Sequence, residues 1–125
     1  MTTNQPAVLI VEDEALILLG AVDLIESAGF AVTASNADEA ISILGTRQDI
    51  HLVFTDVDMP GSMDGVKLSH YIRDRWPPIH LIVASGKTLA DQRRLPDGAI
   101  FFSKPYHEQP LIDAIRTFLD ARLPS

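Results

Sequence analysis

Five short apolar runs, each ending abruptly at a polar or charged residue, set the tightest limit on how this chain folds. Val8-Leu-Ile-Val11 stops at Glu12-Asp13-Glu14, and Ala31 to Ala34 stops before Asn36. Leu52-Val-Phe-Thr55 stops at Asp56, His80-Leu-Ile-Val-Ala84 at Ser85-Gly86, and Ala99-Ile-Phe-Phe102 at Ser103-Lys104-Pro105. Periodicity alone does not separate a buried strand from a buried helix, but runs this short favour strands. Between them the apolar residues recur at helical spacing. Ile17, Ala21, Leu24 and Ala28 predict one buried face, with Asp23, Glu26 and Ser27 opposite and Gly29 as the stop. Asn36 followed by Glu39 resembles a capping box and opens a helix that buries Ala37, Ala40, Ile41 and Leu44. Val66 to Arg75 predicts a third helix, with Leu68, Tyr71 and Ile72 inward and Pro77-Pro78 closing it. Lys87 to Arg94 is a polar, weakly patterned fourth. About Gln109 to Arg122 is the fifth, burying Leu111, Ile112, Ile115, Phe118 and Leu119.

Strands alternating with helices imply a parallel sheet covered on both faces. The near-continuous apolar strands agree, because a central parallel strand is buried on both sides. With right-handed crossovers, the architecture expected is an open, doubly wound α/β sheet of five strands. A closed eight-stranded barrel needs about 200 residues or more, and this chain has 125, the length of one domain.

Charge and composition narrow the function. Ten Lys and Arg against 17 Asp and Glu leave a net charge of −7, a poor basis for nucleic-acid binding. An acidic surface suits a basic partner or a bound cation. Cysteine is absent, which excludes a disulfide scaffold, a Cys-based zinc site and a thiol nucleophile. No run reaches the roughly 18 apolar residues of a membrane span, and the polar start Met1 to Pro6 lacks the form of a signal peptide. The expectation is a soluble, cytoplasmic protein.

In doubly wound sheets, ligands bind at the carboxyl ends of the strands, where strand order reverses. Glu12, Asp13, Asp56, Ser85 and Lys104 all follow strands and would converge there. Carboxylates so close repel one another and recruit a counter-ion. Mg²⁺ is suited to that role, since it takes hard oxygen ligands and binds beside phosphates. Carboxylates, Mg²⁺, an ammonium and a hydroxyl together describe a site for a phosphoryl group, in which a carboxylate can act as nucleophile. No Gly-x-x-x-x-Gly-Lys-Ser/Thr loop is present, so a P-loop is excluded. His51, His70, His80 and His107 are scattered without metal-ligand spacing, and Trp76 before Pro77-Pro78 is expected to pack at a helix end.

Four segments in order, Val11-Glu-Asp-Glu14, Thr55-Asp-Val-Asp-Met-Pro60, Ala84-Ser85-Gly86 and Ser103-Lys-Pro-Tyr106, carry a resemblance. The chain resembles the receiver domain of two-component response regulators, of the chemotaxis-type single-domain kind, from Val8 to about Leu123. The resemblance implies a flavodoxin-like sheet of order 2-1-3-4-5, with Lys104–Pro105 cis. It implies that Asp56 accepts a phosphoryl group from a histidine kinase or histidine phosphotransfer protein. Glu12, Asp13, Asp56 and the Asp58 backbone carbonyl would hold Mg²⁺. Lys104 would contact the phosphate, while Ser85 and Tyr106 would be the switch residues. A downstream protein would read the fourth helix, fifth strand and fifth helix. Such a domain is a phosphoacceptor, catalysing only its own phosphorylation and dephosphorylation. Glu12 stands where many members have Asp, and its longer side chain implies a water between it and the ion. Ser85 replaces the commoner Thr, and Asp58 adds negative charge near the phosphate route.

Two rival readings compete. Asp56-Val-Asp58 resembles the Asp-x-Asp motif of haloacid-dehalogenase-type phosphatases. That motif follows a first strand, whereas this one follows the third, and Glu12-Asp13 would have no role. An interaction domain that has lost phosphoryl chemistry is opposed by the complete acceptor set. Met1 and the short tail Leu123-Pro-Ser125 lead us to expect a single stand-alone domain over 1–125, without an output domain.

Overall fold

The computed structural model describes residues 6–58, 63–86 and 94–120. Its elements run β1 (Ala7–Val11), α1 (Ala15–Glu26), β2 (Phe30–Ala34), α2 (Ala37–Thr46), β3 (Ile50–Asp56), α3 (Gly65–Arg75), β4 (His80–Ser85), β5 (Ile100–Ser103) and α4 (Glu108–Asp120). The five strands form one all-parallel sheet of order β2-β1-β3-β4-β5. The expected doubly wound fold is the observed one. The helix read over 87–94 lies outside the described residues, apart from Arg94.

Alternation along the strands builds two cores. Leu9, Val11 and Val53 pack with Ala40, Leu44, Leu68 and Ile72, beneath α2 and α3. Val8, Ile10, Leu52 and Phe54 pack with Ala21, Ile25, Leu111 and Ile115, beneath α1 and α4. Every residue of β1 is buried, whereas the edge strands β2 and β5 are largely half-exposed or exposed. A central strand is covered by helices on both faces; an edge strand is not.

Helix α1 is turned relative to the sequence-based expectation. Its buried residues are Ala21 and Ile25, with Leu18, Val22, Leu24 and Ala28 partly buried beside them. Ile17, read as inward-facing, is 40% exposed, and Leu16 and Leu19 more so. The first turns carry apolar residues on every side, so spacing alone could not choose the face that packs. Trp76 does cap α3 and pack into the core beneath it. Arg75 lies over both the Tyr71 and Trp76 rings, at 5.6 and 5.5 Å.

Register places the chemistry. The chain winds outward from β1 to β2, then returns past β1 to β3, so strand order reverses between β1 and β3. Val11 pairs with Thr55, which sets Glu12 and Asp56 side by side at the carboxyl edge. Asp56 pairs with Ala84 and Ser85 with Ser103, which brings Ser85 and Lys104 to the same edge.

Candidate functional site

Asp56 is the last residue of β3 and is only 9% exposed. Its two oxygens have different partners. Lys104 Nζ lies 2.9 Å from Oδ2, and the Asp58 backbone N–H donates to Oδ1 across 3.3 Å. Lys104 is held there by the neighbouring strand β4, since its own N–H donates to the Ser85 carbonyl at 2.8 Å. The Lys104–Pro105 peptide is cis.

Glu12 follows β1 and is 5% exposed. Its Oε2 accepts the Glu14 N–H at 3.1 Å, which folds the side chain back over the start of α1. Asp13, beside it, is exposed. Donor oxygens of Glu12, Asp13 and Asp56 all lie within 4.8 Å of one another. Burial raises the Glu12 carboxyl above its ordinary value; the Glu14 N–H opposes this, the Asp56 charge adds to it and Lys104 reduces it. Burial by itself would lower the Lys104 ammonium. Its hydrogen bond to Asp56 and the charges of Asp56 and Glu12 outweigh burial and raise it. Three carboxylates thus face one ammonium, a cluster short of positive charge. Three hard oxygen donors converging within so small a space match the ligand preference of a divalent cation such as Mg²⁺.

Ser85, which ends β4, is fully buried. Tyr106 is half-buried, and its ring meets Phe54 edge-on at 5.9 Å and Phe102 at 6.3 Å. Burial raises the Tyr106 hydroxyl above its ordinary value, the Lys104 charge opposing and Glu12 and Asp56 reinforcing. Tyr106, Lys104, Asp56, Glu12 and Ile17 line one narrow cleft. Asp58, two residues beyond Asp56, is exposed.

Sequence reasoning gave Gly65 no role. It starts α3, and its N–H donates to the Val57 carbonyl at 2.9 Å. A Cβ there would collide with the Asp56 carbonyl oxygen and lie 2.8 Å from Val57 Cα. The backbone of α3 thus rests directly against the backbone of Asp56. Asp64 just before it caps the helix, accepting the Lys67 N–H at 2.9 Å. An Asp-Gly pair ahead of a helical pattern is the signal that pointed there.

A doubly wound sheet with an acidic cluster and a lysine at its switch point defines an α/β module built around a carboxylate pocket. The family model described as response regulator receiver domain matches residues 8–116. The chain belongs to that family, and is a receiver domain of two-component signalling. It is 32% identical over 98% of its length to the hydrogenase transcriptional regulatory protein HoxA of Cupriavidus necator, covering 26% of that protein. It is 37% identical over 94% of its length to the sensor kinase CckA of Brucella abortus, covering 13% of it. The chain therefore spans about a quarter or less of these relatives. A response regulator receiver protein from Sinorhizobium medicae superposes with a TM-score of 0.85 at 28% identity, over 94% of this chain and 97% of that one.

Proposed function

We propose that Asp56 is the phosphoacceptor of a phosphorelay, taking a phosphoryl group from a phosphohistidine of a histidine kinase or histidine phosphotransfer protein. The observation that carries this reading is the Lys104–Asp56 pair at 2.9 Å inside the carboxylate cluster of Glu12, Asp13 and Asp56. An Asp56 oxygen attacks phosphorus, a P–O bond forms, the P–N bond breaks, and its electron pair returns to the imidazole. Lys104 is placed to meet the charge that gathers on the phosphoryl oxygens. Glu12, Asp13, Asp56 and the Asp58 carbonyl would hold Mg²⁺, which when bound neutralises phosphoryl and carboxylate charge.

Ser85 and Tyr106 then carry the signal. The Ser85 hydroxyl meets a phosphoryl oxygen, and a hydrogen bond to a charged acceptor is worth about 1.5–3 kcal/mol, enough to shift a two-state equilibrium about tenfold or more. The Tyr106 ring already rests against Phe54, so it answers by adjusting within that packing. The surface that responds comprises residues 87–94, β5 and α4, and a downstream protein reads it there.

The test is intact mass after incubation with acetyl phosphate and Mg²⁺. The parent should gain one base-labile phosphoryl group. Asp56→Asn keeps the size of the side chain and removes the nucleophile, so it should gain none. An equal gain in that variant would sink the assignment, and steady release of phosphate from an ester substrate would favour a phosphatase instead.

A further inference from the structure

Helix α1 starts without the devices that start α2 and α3. Asn36 caps α2 and Asp64 caps α3, each side chain accepting the N–H three residues on. The side chain of Glu14, at the same position of α1, makes no such bond, and the first turn holds no acid. A capping box needs Glu or Gln at the third helical position to bind the N–H of the cap residue, and here that position is Ile17. Gly20 weakens the helix further, since glycine is unfavourable in a helix relative to alanine and a Cβ there would meet nothing within 4 Å. Glu12 supplies the missing bond from the other direction. Its Oε2 accepts the Glu14 N–H at 3.1 Å, as the glutamate of a capping box would.

Glu12 is also fixed on the sheet and in the acidic cluster. Its own N–H donates to the Ala34 carbonyl at 3.0 Å, which ties its main chain to β2. A side-chain oxygen lies within 4.8 Å of donor oxygens of Asp13 and Asp56. A carboxylate offers about four lone-pair positions on its two oxygens, so one oxygen can serve the helix while the other serves a cation.

We infer that Glu12 is a positioning residue that couples cation binding to the order of the first turn of α1, an inference that rests on the reading of Glu12, Asp13 and Asp56 as a cation site. Outer partners that hydrogen-bond a ligating carboxylate orient it, and their loss costs about 10–100-fold in metal affinity. Here the outer partner is the backbone N–H that opens a helix. A side chain held by the Glu14 N–H is already in place for a cation. A cation that holds the same carboxylate keeps it in place for the N–H. The positive end of a helix and a cation repel one another; the Glu12 charge, bonded to the helix N–H and beside the cluster, offsets that repulsion. Coupling of this kind is reciprocal. Its effect reaches the acceptor, because Ile17 in that first turn lines the cleft with Asp56 and Lys104. Cation binding thus firms one wall of the cleft.

The experiment reads amide hydrogen exchange at Glu14 and Leu18 by NMR, with and without Mg²⁺, in the intact chain. Leu18 is included because its N–H donates to the Glu14 carbonyl at 2.9 Å. In the parent, saturating Mg²⁺ should slow exchange at both about fivefold or more, the lower end of coupling between linked sites. Glu12→Gln keeps an oxygen for the Glu14 N–H and loses the charge. Its exchange without Mg²⁺ should match the parent, while its Mg²⁺ affinity falls. Glu12→Ala should exchange fast with or without the ion. Asp13→Ala removes a ligand and leaves the Glu12–Glu14 bond, so the same Mg²⁺ concentration should no longer slow exchange. Unchanged or faster exchange in a parent whose Asp13 and Asp56 amides shift with Mg²⁺ overturns the inference, since the helix is then indifferent to the ion or loses its oxygen to it. Parent-like exchange in Glu12→Ala overturns it too, as does equal slowing by Mg²⁺ in Asp13→Ala. If Mg²⁺ shifts neither amide in the parent, the cation reading itself falls and the inference with it.

Discussion

Gly65 bears on Asp56 through the main chain, because the backbone at the start of α3 presses on the peptide of the acceptor. Gly65→Ala would drive a methyl group into the Asp56 carbonyl. Overpacking of this kind costs about 1–3 kcal/mol, and the shift should tilt the Asp56 carboxylate away from Lys104. Urea unfolding and the acetyl phosphate labelling rate should both fall; unchanged values in both would show that α3 yields without cost. His80 acts at the opposite edge. Its ring stacks on Phe118 with centroids 4.4 Å apart. Burial, then the charges of Arg73 and His51, hold its imidazole below the usual 6.5. The folded state thus favours the neutral ring, and the unfolded chain binds the proton more readily. That contribution is complete above 6.5 and is lost as pH falls through the folded value. The urea midpoint of His80→Phe should therefore decline less on acidification below 6.5 than that of the parent.

At the scale of elements, caps and edges decide where helices begin. Asn36 Oδ1 accepts the Glu39 N–H at 2.8 Å, and Glu39 Oε1 accepts the Ser35 N–H at 2.8 Å. The box anticipated from Asn36 and Glu39 forms, with its return bond one residue earlier than the standard pattern. Asn36→Ala should cost about 1 kcal/mol, read as a lower urea midpoint; no change would mean that packing alone holds α2. Helix α1 has no side-chain cap, because Glu14 makes none. Instead Glu12 binds the Glu14 N–H, so a candidate metal ligand also orders the start of the helix that carries the exposed leucines.

Across the whole molecule, the acidic cluster is a standing electrostatic cost that a cation relieves. The net charge of −7 adds to it, and Lys104 offsets only one of the three clustered carboxylates. A cation that binds the folded chain alone stabilises it by mass action. At ten times its dissociation constant, Mg²⁺ should add about 1.4 kcal/mol to unfolding stability. Asp13→Ala removes a ligand and a charge, so Mg²⁺ should then leave the urea midpoint almost unmoved. An equal gain in parent and variant would place the cation elsewhere. No helix of the described residues is long and apolar enough to cross a membrane.

Strand identity, strand sequence and the polar residue at each strand end were legible in the residues, because a buried parallel strand needs an unbroken apolar run and the loop after it does not. Those local rules named Glu12, Asp13, Asp56, Ser85 and Lys104 as neighbours before any coordinates, and the motifs they sit in resembled one family. Three matters were settled only by tertiary packing. The buried face of α1 depends on where α4 and β2 leave room, and a helix whose first turns are apolar all round does not encode that choice. The contact of Gly65 with the Asp56 backbone joins two segments that no local pattern links. The pairing of Lys104 with Oδ2 of Asp56 rests on the β3–β4–β5 register, which hydrogen bonds between strands determine and the composition of any single strand does not.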